Sequence, residues 1–130
     1  MNIIDNKILI AVIKRFSEWK DNLEFVTDED KFIQVGTWKY NKGKTLDRHF
    51  HNISERKSNV TQECVFVVTG SLLIKFYSGQ KFLKSVILNQ FDYSIIFNGG
   101  HSYEILEDNT RVLETKNGPF PGLELDKTRY

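Results

Sequence analysis

The chain reads as all-β. Three observations carry that expectation: short runs rich in Ile, Val, Phe and Tyr recur along the 130 residues, Gly, Asn and Asp punctuate them, and apolar spacing at the helical period is weak. Many short strands without a long helix require a two-layered or closed sheet, because a sheet must bury its apolar face against another element. A chain of this length can bury a core without disulfides or a structural metal. No repeat, low-complexity tract or linker divides it, so residues 1–130 are read as one domain.

Residues 2–4 and 8–13 flank Asp5-Asn6-Lys7 and predict a short N-terminal hairpin or extension. A short amphipathic helix over 8–19 competes with the second of these strands; periodicity alone does not separate them, and strand is favoured. Residues 23–31 carry the acidic cluster Asp28-Glu29-Asp30 and read as a solvated loop. The chain alternates over 32–40. Placing Lys39 in water turns Gln34, Gly36, Trp38 and Tyr40 inward and Ile33, Val35 and Thr37 outward. Asn41-Lys42-Gly43 is a turn, and 52–62 is a polar, exposed loop.

Strands are predicted over 63–68, 72–77, 82–88, 93–97, 101–106 and 111–115. The turns between them fall at Thr69-Gly70-Ser71, Ser78-Gly79-Gln80, Asn89-Gln90, Asn98-Gly99-Gly100 and Glu107-Asp108-Asn109. In the first of these strands Glu63, Val65 and Val67 face the interior, while Cys64, Phe66 and Val68 face a second layer or a partner subunit. The tail Gly118-Pro119-Phe120-Pro121-Gly122 cannot continue a sheet and lies across the surface.

Composition narrows the function classes. A formal charge of +1 with no Lys/Arg block lacks the electrostatic footprint of a nucleic-acid binder. The longest apolar stretch near the N-terminus, 8–13, is too short to span a bilayer and has no cleavage signal after it, so neither a membrane nor a targeting segment is expected. The single cysteine, Cys64, lies in an apolar run as a buried free thiol, which suits a reducing cytoplasm. There is no Gly-x-Ser-x-Gly elbow and no phosphate-cradling glycine loop.

The chemistry concentrates in the only three histidines, His49, His51 and His101, with Glu63 between them in sequence. On a strand, His49 and His51 point the same way, and adjoining strands can bring a carboxylate and a third imidazole to meet them. Three imidazoles and one carboxylate suit a divalent transition metal. Glu55, three residues beyond His51, competes for the carboxylate role; it sits in a polar loop, whereas Glu63 opens an apolar strand that ends at Gly70. Glu63 is favoured. Tyr103 shares the face of His101, and Trp38 with Tyr40 supplies an aromatic wall for a small ligand. Glu114 and Lys116, near the end of the last strand, could reach the mouth of a closed sheet, but such a pair is more often solvent-facing and both are left out of the site; Arg56 reads as an exposed loop residue.

These residues resemble the two signature motifs of the cupin superfamily, small jelly-roll barrels that commonly hold one metal ion. Gly43, five residues, His49-Phe50-His51, then Glu63, six residues and Gly70 match the first motif in every interval except a longer spacer before the glutamate. The extra residues fall in Ser54-Glu55-Arg56-Lys57-Ser58-Asn59, where a loop insertion is thermodynamically inexpensive. Asp92, Phe97 in place of proline, Gly99 and His101 resemble the second motif, with the histidine one position early and Gln90-Phe91 where a glycine is customary. The resemblance covers 36–113 and implies a cupin-type jelly-roll barrel.

It further implies one divalent metal held by His49, His51, Glu63 and His101, with iron, manganese, nickel, cobalt and zinc left open. The implied function is a metal-dependent enzyme on a small polar, saccharide-related substrate. Its reaction is unresolved among isomerisation or epimerisation, lyase chemistry and dioxygenation, with Tyr103 as the catalytic acid or base and Trp38, Tyr40 and Tyr103 lining the pocket. The alternative is a metal-dependent binding module without turnover. By the same analogy the chain is expected to form a homodimer, through the apolar face of Cys64, Phe66 and Val68 with the N-terminal strand.

Overall fold

The computed structural model describes residues 1–129. The N-terminal hairpin pairs β1 (Asn2–Asp5) with β2 (Ile8–Lys14), and a 3₁₀ turn over Phe16–Glu18 leads to β3 (Asn22–Phe25) and β4 (Gly36–Lys39). The remaining strands are β5 (Glu63–Thr69), β6 (Leu72–Ser78), β7 (Lys81–Leu88), β8 (Tyr93–Ile96), β9 (Gly100–Ile105) and β10 (Arg111–Lys116). One short helical turn, α1 (Leu123–Asp126), follows. The fold is therefore nearly all β among the described residues, and the strand assignment for 8–13 stands over the helical one. No helix there is long and apolar enough to cross a membrane.

The strands form three antiparallel sheets: β1-β2-β8-β5-β10, β7-β6-β9 and β3-β4. None of them closes into a barrel among the described residues, and the segment between Lys39 and Glu63 adds no strand to any sheet. One core cluster joins the large sheet to the three-stranded sheet through Ile13, Val65, Val67, Leu72, Ile74 and Phe76. A second lies on the opposite face of the large sheet, where Tyr93, Ile95 and Phe97 pack with Ile33, Val35 and Phe66. Each such fully buried side chain stabilises the fold by about 1.5–3 kcal/mol.

The alternation of β5 sends Val65 and Val67 into the first cluster and Cys64 and Phe66 into the second. The face expected to meet a partner is thus mostly covered by the chain's own second layer; Val68 alone of the three stays 38% exposed. That layer also corrects the reading of 23–31 and 32–40. Residues Asn22–Phe25 are a strand, with Leu23 opposite Trp38. Ile33 and Thr37 are buried and Trp38 is 58% exposed, so the inward face is the reverse of the one expected. Three β-branched residues, Ile33, Val35 and Thr37, outweigh the aromatic pair, and Lys39 reaches water and the Asp21 carboxylate at 2.8 Å from the strand end.

A buried carboxylate ties the layers together. Asp92, 6% exposed, accepts from Arg15 Nη1 at 2.6 Å, from the Phe16 amide at 3.0 Å and from the Asn89 amide at 3.0 Å. All its donors come from the protein frame, which makes it a clamp between the turn after β2 and the turn before β8. Removing the carboxylate strands two amides and leaves the Arg15 guanidinium with the Ile87 carbonyl but no counter-charge. Asp92→Ala is expected to lose about 2–4 kcal/mol in urea unfolding, with an unchanged m value, the Arg15 partner being part-exposed.

Candidate functional site

Glu63 opens β5 on the face of Val65 and Val67, so alternation alone drives its side chain to the end of the first core, where it is 4% exposed. Its neighbours in register are Ile96 on β8 and Lys116 on β10. From the opposing sheet β9 presents His101 and Tyr103, two residues apart and therefore on one face, opposite Phe76 and Ile74. The turn before β9 requires glycine: Gly99 has φ of 75°, and an added Cβ would land on the Tyr77 carbonyl oxygen.

The two sheets meet at the carboxylate. His101 Nε2 lies 2.8 Å from Glu63 Oε1, and the Tyr103 hydroxyl donates to the same oxygen at 2.5 Å. Lys116 Nζ stands 3.5 Å from Oε2 and 2.9 Å from Glu114 Oε1. The rings of His101 and Tyr103 lie 5.2 Å apart. His101 Nδ1 is buried and has no hydrogen-bond partner among the described residues. Lys116, which the sequence reading left in solvent, belongs to this cluster, brought there by its register with Glu63.

Burial opposes ionisation of Glu63, but the hydrogen bonds from His101 and Tyr103 and the electrostatic influence of His101 and Lys116 outweigh it, holding the carboxyl down to about 2. Burial pushes the Tyr103 phenol well above its ordinary value, and the Glu63 charge adds to this, so the hydroxyl keeps its proton. Burial works to lower the Lys116 ammonium, and the bond to Glu114 more than restores it. Cys64, on the other face of β5, is pushed up to about 12 by burial, with the Glu63 charge adding to it. A carboxylate at about 2 is a feeble general base near neutral pH. Its competence is to hold a cation or orient a donor, as it does the Tyr103 hydroxyl.

A cavity of about 330 Å³ adjoins Lys116, lined also by Thr61, Glu114, Asn117, Phe120 and Asp126. The tail closes it: Thr61 Oγ1 donates to Asp126 Oδ1 at 2.5 Å, and the Asn117 side-chain amide donates to Val60 O at 3.2 Å and accepts from the Gln62 amide at 2.6 Å.

His49 and His51 stand elsewhere, on the irregular arm 41–62, where both are exposed with ring centroids 5.3 Å apart. His49 Nδ1 lies 3.0 Å from Asp47 O. No three His, Cys, Asp or Glu side chains gather as a metal cage among the described residues. Trp38 and Tyr40 meet edge-on at 6.5 Å and make no side-chain hydrogen bond to the Glu63 cluster among the described residues. In kind, the donors suit a divalent metal: Glu63 with His101 is a contacting pair that retains a free buried nitrogen, and two further imidazoles share one short segment. In placement, only the Glu63–His101 half is assembled.

Comparison with protein-family models, curated proteins and solved structures finds no match. The site is therefore argued from its own geometry.

The depressed Glu63 carboxyl has a signed consequence. Its contribution to stability is complete above the unfolded value near 4.5 and is lost as pH falls toward about 2. Integrated over that shift it is worth roughly 3 kcal/mol. Glu63→Gln should flatten the acid limb of a urea-midpoint profile between those limits, and an unchanged limb would contradict the assignment.

Proposed function

We propose that this chain is a small metal-binding protein of cupin type that acts on a low-molecular-weight polar substrate in the cytoplasm. One observation supports the reading above the others: Glu63 and His101, drawn from the two separate motif-like segments and from opposing sheets, are 2.8 Å apart with the carboxylate buried, and Lys116, which stands 3.5 Å from that carboxylate, lines a cavity. Burying that carboxylate costs several kcal/mol unless it is compensated, and barrel filling needs no such group. Glu63, His101, His49 and His51 are the residues that hold the ion in this reading. When bound, a divalent transition metal supplies Lewis acidity or, as ferrous iron, a site for dioxygen.

The protein's own groups do the rest. Glu63, ionised throughout the physiological range, contributes charge and not basicity. Tyr103 is the acid or base of isomerase, epimerase or lyase chemistry in this reading, a role that requires its hydroxyl to exchange the Glu63 carboxylate for substrate. Lys116 on the cavity wall supplies a donor to substrate oxygens, and Phe120 an apolar face of the kind that packs on a sugar ring. Capture without turnover is the second reading. It is favoured by the weakness of Glu63 as a base.

Cobalt(II) titration of purified, chelator-treated protein tests the metal. One ion per chain is expected, and Glu63→Gln or His101→Ala should weaken binding by more than the roughly 10–100-fold that loss of an outer hydrogen-bond partner costs. Protein that takes up no cobalt, and carries no transition metal after expression in metal-replete medium, would end the proposal. Tyr103→Phe separates the two readings: in both, cobalt affinity falls by no more than the roughly 10–100-fold of a lost outer partner, and at saturating cobalt the turnover of substrate falls by about 10²–10⁴-fold only if the protein is an enzyme.

A further inference from the structure

The outer face of the β3–β4 ribbon is aromatic and open to solvent. Alternation turns Glu24 and Thr37 toward the body and leaves Leu23, Phe25 and Trp38 on the far side, exposed by 43%, 70% and 58%. Leu23 stands opposite Trp38 in register, and Phe25 opposite Gly36. No side chain rises at Gly36, where a Cβ would lie 3.4 Å from Leu23 Cδ1 and 3.6 Å from Phe25 Cδ1, so the surface there stays flat. Tyr40 continues the row just past the strand end, its ring centroid 6.5 Å from that of Trp38 and its plane inclined at 66°. An exposed apolar patch rimmed by polar residues marks an interaction surface.

The charge beside this face is one-sided, which the balanced total conceals. Residues 39–57 hold six Lys/Arg against two Asp/Glu, in a chain whose totals are 18 and 17. Lys44 Nζ lies 5.7 Å from the Tyr40 ring centroid, so the basic segment begins at the edge of the aromatic row. Lys20 and Lys39 at that end are held by Glu24 and Asp21, each at 2.8 Å. Lys42, Lys44 and Arg48 are exposed and form no ion pair among the described residues. The acidic run Asp28-Glu29-Asp30 follows Phe25 at the other end of the ribbon, so the Trp38 end is the one that attracts an anion.

We propose that this face binds single-stranded nucleic acid, with bases stacked on Trp38 and Tyr40 and phosphates met by Lys42, Lys44 and Arg48. The two features together select the occupant. The chain's own arm, folded over the rings, would cover them and leave its cations unmet. An uncharged sugar would pack on the rings and make no use of the cations, and an acidic peptide or a lipid headgroup would meet the cations without offering a flat partner to the rings. A chain of anions that carries planar groups satisfies both. The Trp38–Tyr40 separation of 6.5 Å is about twice the 3.4 Å rise of stacked bases, so two bases held there are splayed apart, as they are in a single strand and not in a duplex. This surface lies apart from the Glu63 cluster, and the inference is independent of the metal reading.

Fluorescence anisotropy of the full chain with short labelled oligomers of deoxythymidine and of uridine, which stay single-stranded, tests the assignment. Dissociation constants of about 10⁻⁴–10⁻⁶ M near physiological salt are expected, and the slope of log affinity against log salt should be about −2 for three phosphate contacts. The tighter of the two oligomers identifies the preferred sugar. Trp38→Ala should weaken binding by about 5–150-fold with far-UV circular dichroism unchanged, whereas Trp38→Phe, which keeps a ring face, should retain most of the affinity. Lys42→Ala with Lys44→Ala should make the salt slope shallower by about 1.4. Failure of both oligomers to bind at up to about 10⁻³ M protein overturns the proposal. So does heparin or a duplex of equal length binding as tightly as the oligomers, or indifference to Trp38→Ala, since either leaves a cation patch without stacking. Binding to phosphatidylserine vesicles in place of the oligomers overturns it in favour of a membrane surface.

Discussion

A single ionised carboxylate at the end of the core sets the terms for everything around it. Glu63 occupies an alternation position that Val65 and Val67 show to be interior, so its charge must be met by donors from whatever strands close that end. His101 and Tyr103 arrive from the three-stranded sheet and Lys116 from the edge of the large one. The contact therefore does two jobs at once. It pins β9 across β5, and it assembles an imidazole, a phenol and an ammonium around one oxygen pair. An apolar residue at 63 would pack the sheets as well and leave no chemistry there.

The remainder of the fold is arranged so that this end can be polar while the middle is not. The large sheet is covered on both faces, by β6 and its neighbours on one side and by β3–β4 with the 26–35 segment on the other. Asp92 performs the analogous service at a different corner, but with a guanidinium and two backbone amides, and so it stiffens a junction without offering a reactive group. The two buried carboxylates differ in their company more than in their burial.

Much of this was legible in the chain itself. The strands from 63 onward were readable because each carries period-two alternation between glycine- or asparagine-marked turns, and the meeting of Glu63 with His101 and Tyr103 follows from the same parity. β3 was hidden because Asn22–Phe25 is only four residues, mixes charge with apolar groups and abuts an acidic loop. The face of β4 was misjudged by letting Lys39 decide; a terminal lysine reaches solvent from either register, and Ile33 and Val35 were the better guides. Lys116 was missed because on an edge strand a charged residue is the default solvent-facing choice, and nothing local reports that its cross-strand neighbour is a buried acid. The arm is the deepest gap. A His-x-His pair reads as strand wherever it stands, and where its partners lie is a property of tertiary structure, not of spacing.

The connection through 41–62 has one more implication, for how the sheet is held together. The strands before it and those after it are joined by the β2–β8 ladder, four residue pairs from Ala11–Ile96 to Lys14–Tyr93, and not by the covalent route through the arm. The backbone is accordingly redundant there. New termini could be opened at that point, or the gene divided into two separately made pieces, and the hydrogen-bonded seam at the centre of the large sheet would still dictate how the halves reassociate.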